Sequence, residues 1–166
     1  MRIVCDSGPI IHLREAHALD LIRNCGSVLI PQTVLVETTS RGAPLPSWIG
    51  TQRVGAESLR EVAILIQSAG LHRGEAECIV LAHRTQADWF ITDDASARYC
   101  ATNIGLEVHG SLGIVLYNAA MGLIERTRAK NVLKVIRQGS LYLSDHVFER
   151  AMNALDTMPG GSRHHE

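Results

Sequence analysis

The chain has 166 residues, 46% of them hydrophobic and 20% charged, with a formal net charge of −1. That length suits one domain with a single core, and the near-neutral balance offers no global attraction for polyanions, so any nucleic-acid surface has to be local. No apolar run approaches the roughly 18 residues of a membrane span, and Met1 leads within a few residues into a patterned strand rather than a secretory leader, so a cytoplasmic protein with no membrane partner is expected.

Arg2-Ile3-Val4-Cys5 is a short apolar strand that delivers Asp6 ahead of Ser7-Gly8-Pro9. Residues 10–24 carry apolar side chains near helical period with Arg14, Glu15, His17 and Arg23 on the polar face; Pro9 suits the first turn, and Asp6 or Ser7 can cap it. Gly26 ends this helix and 27–30 reads as a buried strand. A helical stretch from Pro31 stops at Gly42, which completes a βαβ unit. A proline-bearing loop follows over 43–50, then a short extended piece at 51–54 and helices over 56–69 and 71–86. Trp89-Phe90-Ile91-Thr92 is the key strand, because it runs into the adjacent carboxylates Asp93 and Asp94 and then into a helix over 95–104. A strand at 106–109, a helix at 112–121, a short amphipathic helix at 131–137 and a last helix at 144–155 complete the pattern. Alternation of β and α with short connections predicts an α/β fold, a mostly parallel central sheet with helices on both faces. Residues 1–157 form the expected domain, and 158–166, ending PGGSRHHE, a flexible C-terminal tail.

In such a sheet ligands collect beyond the carboxyl ends of the strands. If the first strand and the 89–92 strand are parallel neighbours, Asp6 converges with Asp93 and Asp94. Glu37, Glu75 and Glu77 also lie in apolar surroundings, Glu77 most of all, between Ala76 and Cys78-Ile79-Val80. A cluster of buried carboxylates is kept ionised by a divalent cation, and hard oxygen donors without His or Cys suit Mg²⁺ or Mn²⁺. Each acid also has a structural use. Asp6 and Asp94 can cap helices, Glu37 can pair with Arg41, and Glu75 suits the first turn of a helix. Cys5, Cys25, Cys78 and Cys100 lack paired spacing and read as buried free thiols, and the histidines lack metal-ligand spacing.

The strings VCDSGPIIHL, PQTVLVE, GEAECIVLA and FITDDASAR, with HGSLGIVLYNAAMGLI after them, resemble the PIN-domain nucleases, especially the bacterial branch close to VapC-type toxins. The resemblance runs in order from Met1 to Leu155 and implies a three-layer PIN-like fold and a metal-dependent ribonuclease with 5′-phosphate and 3′-hydroxyl products. It matches the family's acids to Asp6, Glu37, Glu77 and Asp94 as catalytic and metal-binding residues, with Glu75 and Asp93 as substitutes, and the hydroxyl after the first acid to Ser7. It further implies RNA as substrate, a small antitoxin as partner of a type II toxin, and a homodimer. Arg126, Arg128, Lys130, Lys134 and Arg137 form the densest positive run and are candidates for phosphate binding; so are Arg98, four residues past Asp94, and Arg41, Arg53 and Arg73. The rival readings are a PIN-like RNA- or protein-binding module that does not cleave, and a phosphoacceptor or phosphatase domain, which would want a DxDx[TS] motif that the chain lacks.

Overall fold

A computed structural model of the chain describes residues 1–40, 42 and 44–158. Arg41 and residues 159–166, which include nearly all of the expected tail, lie outside the described residues. The residue contacts divide the chain into two compact units, one of residues 1–11 and 26–110, the other of 12–25 and 111–166.

The first unit holds five strands, β1 (Arg2–Cys5), β2 (Ser27–Pro31), β3 (Ile49–Gln52), β4 (Trp89–Ile91) and β5 (Val108–His109). All four ladders are parallel and the order is β3-β2-β1-β4-β5. Ile3, Val4 and Cys5 are buried in succession, as are Trp89, Phe90 and Ile91. Successive side chains of a strand point to opposite faces, so both faces are covered and the fold is the three-layer α/β class that the alternation predicts. Each large side chain buried this way contributes about 1.5–3 kcal/mol. The third strand begins two residues earlier than its sequence suggests, because buried Ile49 anchors it against Val28.

The expected pairing of β1 with β4 is present, with Cys5 opposite Ile91. From β1 the chain builds outward to β2 and β3, then returns to the other side of β1 for β4 and β5. The carboxyl ends of β1 and β4 are therefore the topological switch point, where neighbouring connections diverge and leave a crevice. Helices α3 (Gln32–Thr39), α4 (Leu59–Ala69), α5 (Arg73–Arg84) and α6 (Ala95–Asn103) belong to this unit, and a 3₁₀ turn at Ala56–Ser58 precedes α4. Helix α5 is the central one, packing on β1, β2 and β4 with Ala76 through Ala82 all buried.

Helix α1 (Ser7–Glu15) starts in the first unit and ends in the second, which also holds α2 (Asp20–Arg23), α7 (Ser111–Ala120), α8 (Arg126–Gln138) and α9 (Asp145–Thr157). The single helix expected over 10–24 is two. Ala18 donates to the Leu13 carbonyl and His17 to that of Arg14, with His17 left-handed at φ 51°. That is a Schellman closure with histidine in the glycine place. The apolar period runs on past the break because Ala18, Leu21 and Ile22 are buried anyway. Helix α8 starts five residues before its expected beginning, following a buried stripe of Ala129, Val132, Leu133 and Ile136. Fully buried Asn118 donates to the Leu21 and Ile114 carbonyls at 3.0 and 2.9 Å and accepts from Asn24 at 2.8 Å, which satisfies a costly polar group and pins α7 to α2. No helix among the described residues is long and apolar enough to cross a membrane.

Candidate active site

Asp6 is the residue after β1, and the Thr92 side chain follows β4 directly opposite it. The Asp6 amide donates to the Ile91 carbonyl at 2.9 Å, which extends the parallel ladder by one step and fixes the aspartate at the switch point. Its Oδ1 accepts from the Ser7 amide at 2.7 Å and its Oδ2 from the Thr92 hydroxyl at 3.2 Å. The same hydroxyl accepts from the Asp94 amide at 3.2 Å, so one fully buried threonine orients both acidic strand ends. The Thr-x-Asp spacing was the signal for this; its use as a bridge to Asp6 required the pairing of β1 with β4.

Asp6 is only 4% exposed. Burial pushes its carboxyl up to about 6, the negative charges of Glu75 and Glu37 add to the rise, and the Ser7 amide and Thr92 hydroxyl pull it down. Glu75 is also raised, first by burial and then by Asp94 and Glu37, against the lowering effect of its bond to the His72 amide. These mutual effects link Asp6, Glu37, Glu75 and Asp94 as one group of interacting carboxylates.

Asp6, Glu37 and Glu75 line a single pocket of about 420 Å³, together with Ser7, Ile11, Ser40, His72 and Arg73. Glu37 reaches it from the last turn of α3, whose buried positions Val34 and Thr38 set that helix face. Glu75 reaches it from the first turn of α5, where its Oε2 accepts from the His72 amide at 2.8 Å while the His72 side chain accepts from the Glu75 amide, a capping box with histidine as the cap. Gly74 is what admits Glu37: a Cβ at Gly74 would lie 2.7 Å from Glu37 Oε1. Neither Gly74 nor His72 stood out in the sequence. The available signal was a glycine inside the first turn of an otherwise strong helix.

The remaining candidates are placed differently. Glu77, ranked ahead of Glu75 by sequence, is 4% exposed and does not line the pocket; its Oε2 accepts from the Thr33 hydroxyl at 2.6 Å and its Oε1 from Arg73 Nε at 2.7 Å. The apolar neighbours that singled it out are one helix turn of the core; Arg73 balances its charge and the Thr33 hydroxyl satisfies its second oxygen. Asp94 caps α6, its Oδ1 accepting from Ala97 at 2.7 Å, so the capping use occupies one oxygen of a residue that also acts on Glu75. Asp93 sits with Arg98 against Gly110, and Arg98 donates to the Thr92 and Val108 carbonyls at 3.1 and 3.4 Å, tying β4 to β5. That is a scaffolding position. Arg41 lies outside the described residues.

The basic run is on α8, and most of it is matched by acids of the second unit. Arg128 holds Asp20 at 2.9 and 3.0 Å, Lys130 pairs with Asp156, and Arg137 pairs with Asp145 at 2.6 Å while stacking on Phe148. Arg126 donates to the Met158 carbonyl, and Lys134 is exposed. Cys5, Cys25 and Cys78 are buried free thiols as expected, all three raised mainly by burial, whereas Cys100 is partly exposed.

A group of three or more metal-binding side chains already in ligating positions is absent among the described residues. The donor chemistry nonetheless fits a hard divalent ion, since the titratable donors gathered at the pocket include Asp6, Glu37 and Glu75, and burial first, then their mutual repulsion, raises Asp6 and Glu75. Fold and pocket together define a parallel α/β protein with an acid-lined pocket at its switch point. Residues 2–157 match a family described as PIN domain, and the chain belongs to that family. PIN domains are generally nucleases and usually use divalent metals, so the chain is of nuclease type. No curated protein and no solved structure matches it.

Proposed function

We propose that this chain is a Mg²⁺- or Mn²⁺-dependent endoribonuclease whose domain spans 1–157. The observation that carries the reading is the convergence of Asp6, Glu37 and Glu75 on one pocket at the switch point, with Asp94 acting on the same group. A phosphodiester cannot approach such a pocket until its negative charge is offset. Asp6, Glu37, Glu75 and Asp94 would hold a divalent ion, which would supply that positive charge and lower the pKa of water for phosphodiester hydrolysis.

The chain's own residues do the rest. Asp6, with its carboxyl near 6, is ionised at neutral pH, and Thr92 and the Ser7 amide hold its two oxygens in fixed directions. Glu37 and Glu75 approach from two different helices, so the ligand set is closed by packing of α3 against α5. Ser7 also lines the pocket, and its hydroxyl is a candidate donor to a phosphate oxygen. With aromatics at 4% of the chain, base stacking is a minor source of affinity and backbone contacts dominate.

The test is cleavage of a labelled, partly single-stranded RNA by purified protein with Mg²⁺, with Mn²⁺ and with chelator, beside Asp6→Asn and Glu75→Gln. Cutting that needs metal and is lost in both variants supports the assignment. A folded protein that binds RNA equally well with and without metal and never cuts it is a binding module instead.

The role as toxin of a type II pair rests on the likeness of the DSGPII, GEAECI and DDASAR strings to that branch. Co-purification of a small partner that inhibits cleavage tests it. A homodimer is part of the same proposal, and its check is the mass in solution.

A further inference from the structure

Among the described residues that line the acidic pocket, Arg73 is the only Lys or Arg. Its position is built rather than incidental. Its Nε is bonded at 2.7 Å to Glu77, whose side chain is 6% exposed, while the Arg73 side chain is 66% exposed. The second oxygen of Glu77 is held at 2.6 Å by the Thr33 hydroxyl, from the first turn of α3. An exposed i, i+4 ion pair is worth little and holds neither partner still. Here the carboxylate is buried and fixed at both oxygens, so the arginine, a residue that lines the pocket, is held in one direction.

A carboxylate buried this deeply and matched by one cation is not a free metal ligand. An arginine whose Nε is engaged still has terminal N–H donors, the group best suited to the two non-bridging oxygens of a phosphodiester. We propose that Arg73 is the pocket's phosphate contact for single-stranded RNA, and that Glu77 and Thr33 are positioning residues that aim it. The inference deepens the nuclease reading and rests on it.

The experiment uses the full chain. Binding of a short fluorescent single-stranded RNA is followed by anisotropy as salt is varied, in Ca²⁺, with the RNA checked for integrity afterwards; Mn²⁺ affinity is measured separately by calorimetry. Arg73→Gln is expected to weaken RNA binding at least tenfold and to reduce the salt slope by about 0.7, with Mn²⁺ affinity within twofold of the wild type. Arg73→Lys keeps most of the slope. Thr33→Val weakens RNA binding about threefold without touching Mn²⁺. The double variant Arg73→Gln/Glu77→Gln leaves no buried unpaired charge and keeps the low slope and the Mn²⁺ affinity. An unchanged slope in Arg73→Gln overturns the phosphate contact, and tenfold weaker Mn²⁺ binding in the double variant makes Glu77 a metal ligand. Either failure can occur while the wild type still cuts RNA, which leaves the nuclease reading intact. A wild type that neither binds RNA nor cuts it sinks both.

Discussion

Replacing Gly74 by Ala separates the pocket from the fold. Gly74 sits in the first turn of α5, and its φ is not in the left-handed region, so alanine suits its backbone. Alanine in a helix is favoured over glycine by about 0.5–1 kcal/mol, which raises the melting temperature of a chain this size by a few degrees at most. The new Cβ would lie 2.7 Å from Glu37 Oε1 and 3.0 Å from Oε2, whereas ordinary contact begins near 3.4 Å. The obstacle is the tip of a flexible side chain, so the backbone stays and the Glu37 carboxylate moves by about 0.7 Å. A displacement of that size at a reacting centre costs about ten- to a hundredfold in kcat/KM. The assay pairs thermal unfolding of the metal-free protein with RNA cleavage in Mg²⁺. The expected result is equal or higher stability with cleavage down by that factor. Cleavage within twofold of wild type, in a variant of equal stability, refutes Glu37 as a working member of the pocket.

Asp6 makes a pH prediction. Its folded-state carboxyl is raised from 3.8 to about 6, so the folded protein holds the proton more tightly, and metal-free stability falls as pH rises from 4 through 6. The rise corresponds to at most about 3 kcal/mol. Asp6→Asn keeps an acceptor for the Ser7 amide and removes the charge, so without metal it should melt higher than wild type above pH 7 and alike near pH 4; parallel curves at all pH values contradict the burial argument. Thr92→Val removes the hydroxyl that lowers Asp6, so the acidic limb of the Mg²⁺-dependent rate should move to higher pH, at a cost of about 1–3 kcal/mol in stability; an unmoved limb means Asp6 does not control it. Arg128→Ala should change stability by less than about 1 kcal/mol, because its pair with Asp20, made through one nitrogen, is exposed at both ends. For Lys134→Ala the quantity to watch is the salt slope of RNA binding, expected to drop by about 0.7; a slope equal to wild type takes α8 out of the footprint.

Much of this was written in the sequence as local pattern. Apolar runs ending in Asp6 and in Thr92-Asp93-Asp94 defined two strands with acids at their carboxyl ends, and the short βα alternation fixed the parallel sheet that joins them. Period alone could not show where the first helix breaks, because Leu13, Ala18, Leu21 and Ile22 are buried on both sides of the left-handed turn at His17. Nor could composition rank the two acids of GEAEC. Two residues apart on one helix, Glu75 and Glu77 point about 200° apart around its axis, and of the two it is Glu75 that lines the pocket with Asp6. Flanking hydrophobicity favoured Glu77, yet burial selects for partners as readily as for function, and Thr33 and Arg73 supply them. The choice fell to the packing of α3 against α5, with Gly74 clearing the way for Glu37, and packing between elements distant in the chain leaves no trace in their separate periodicities.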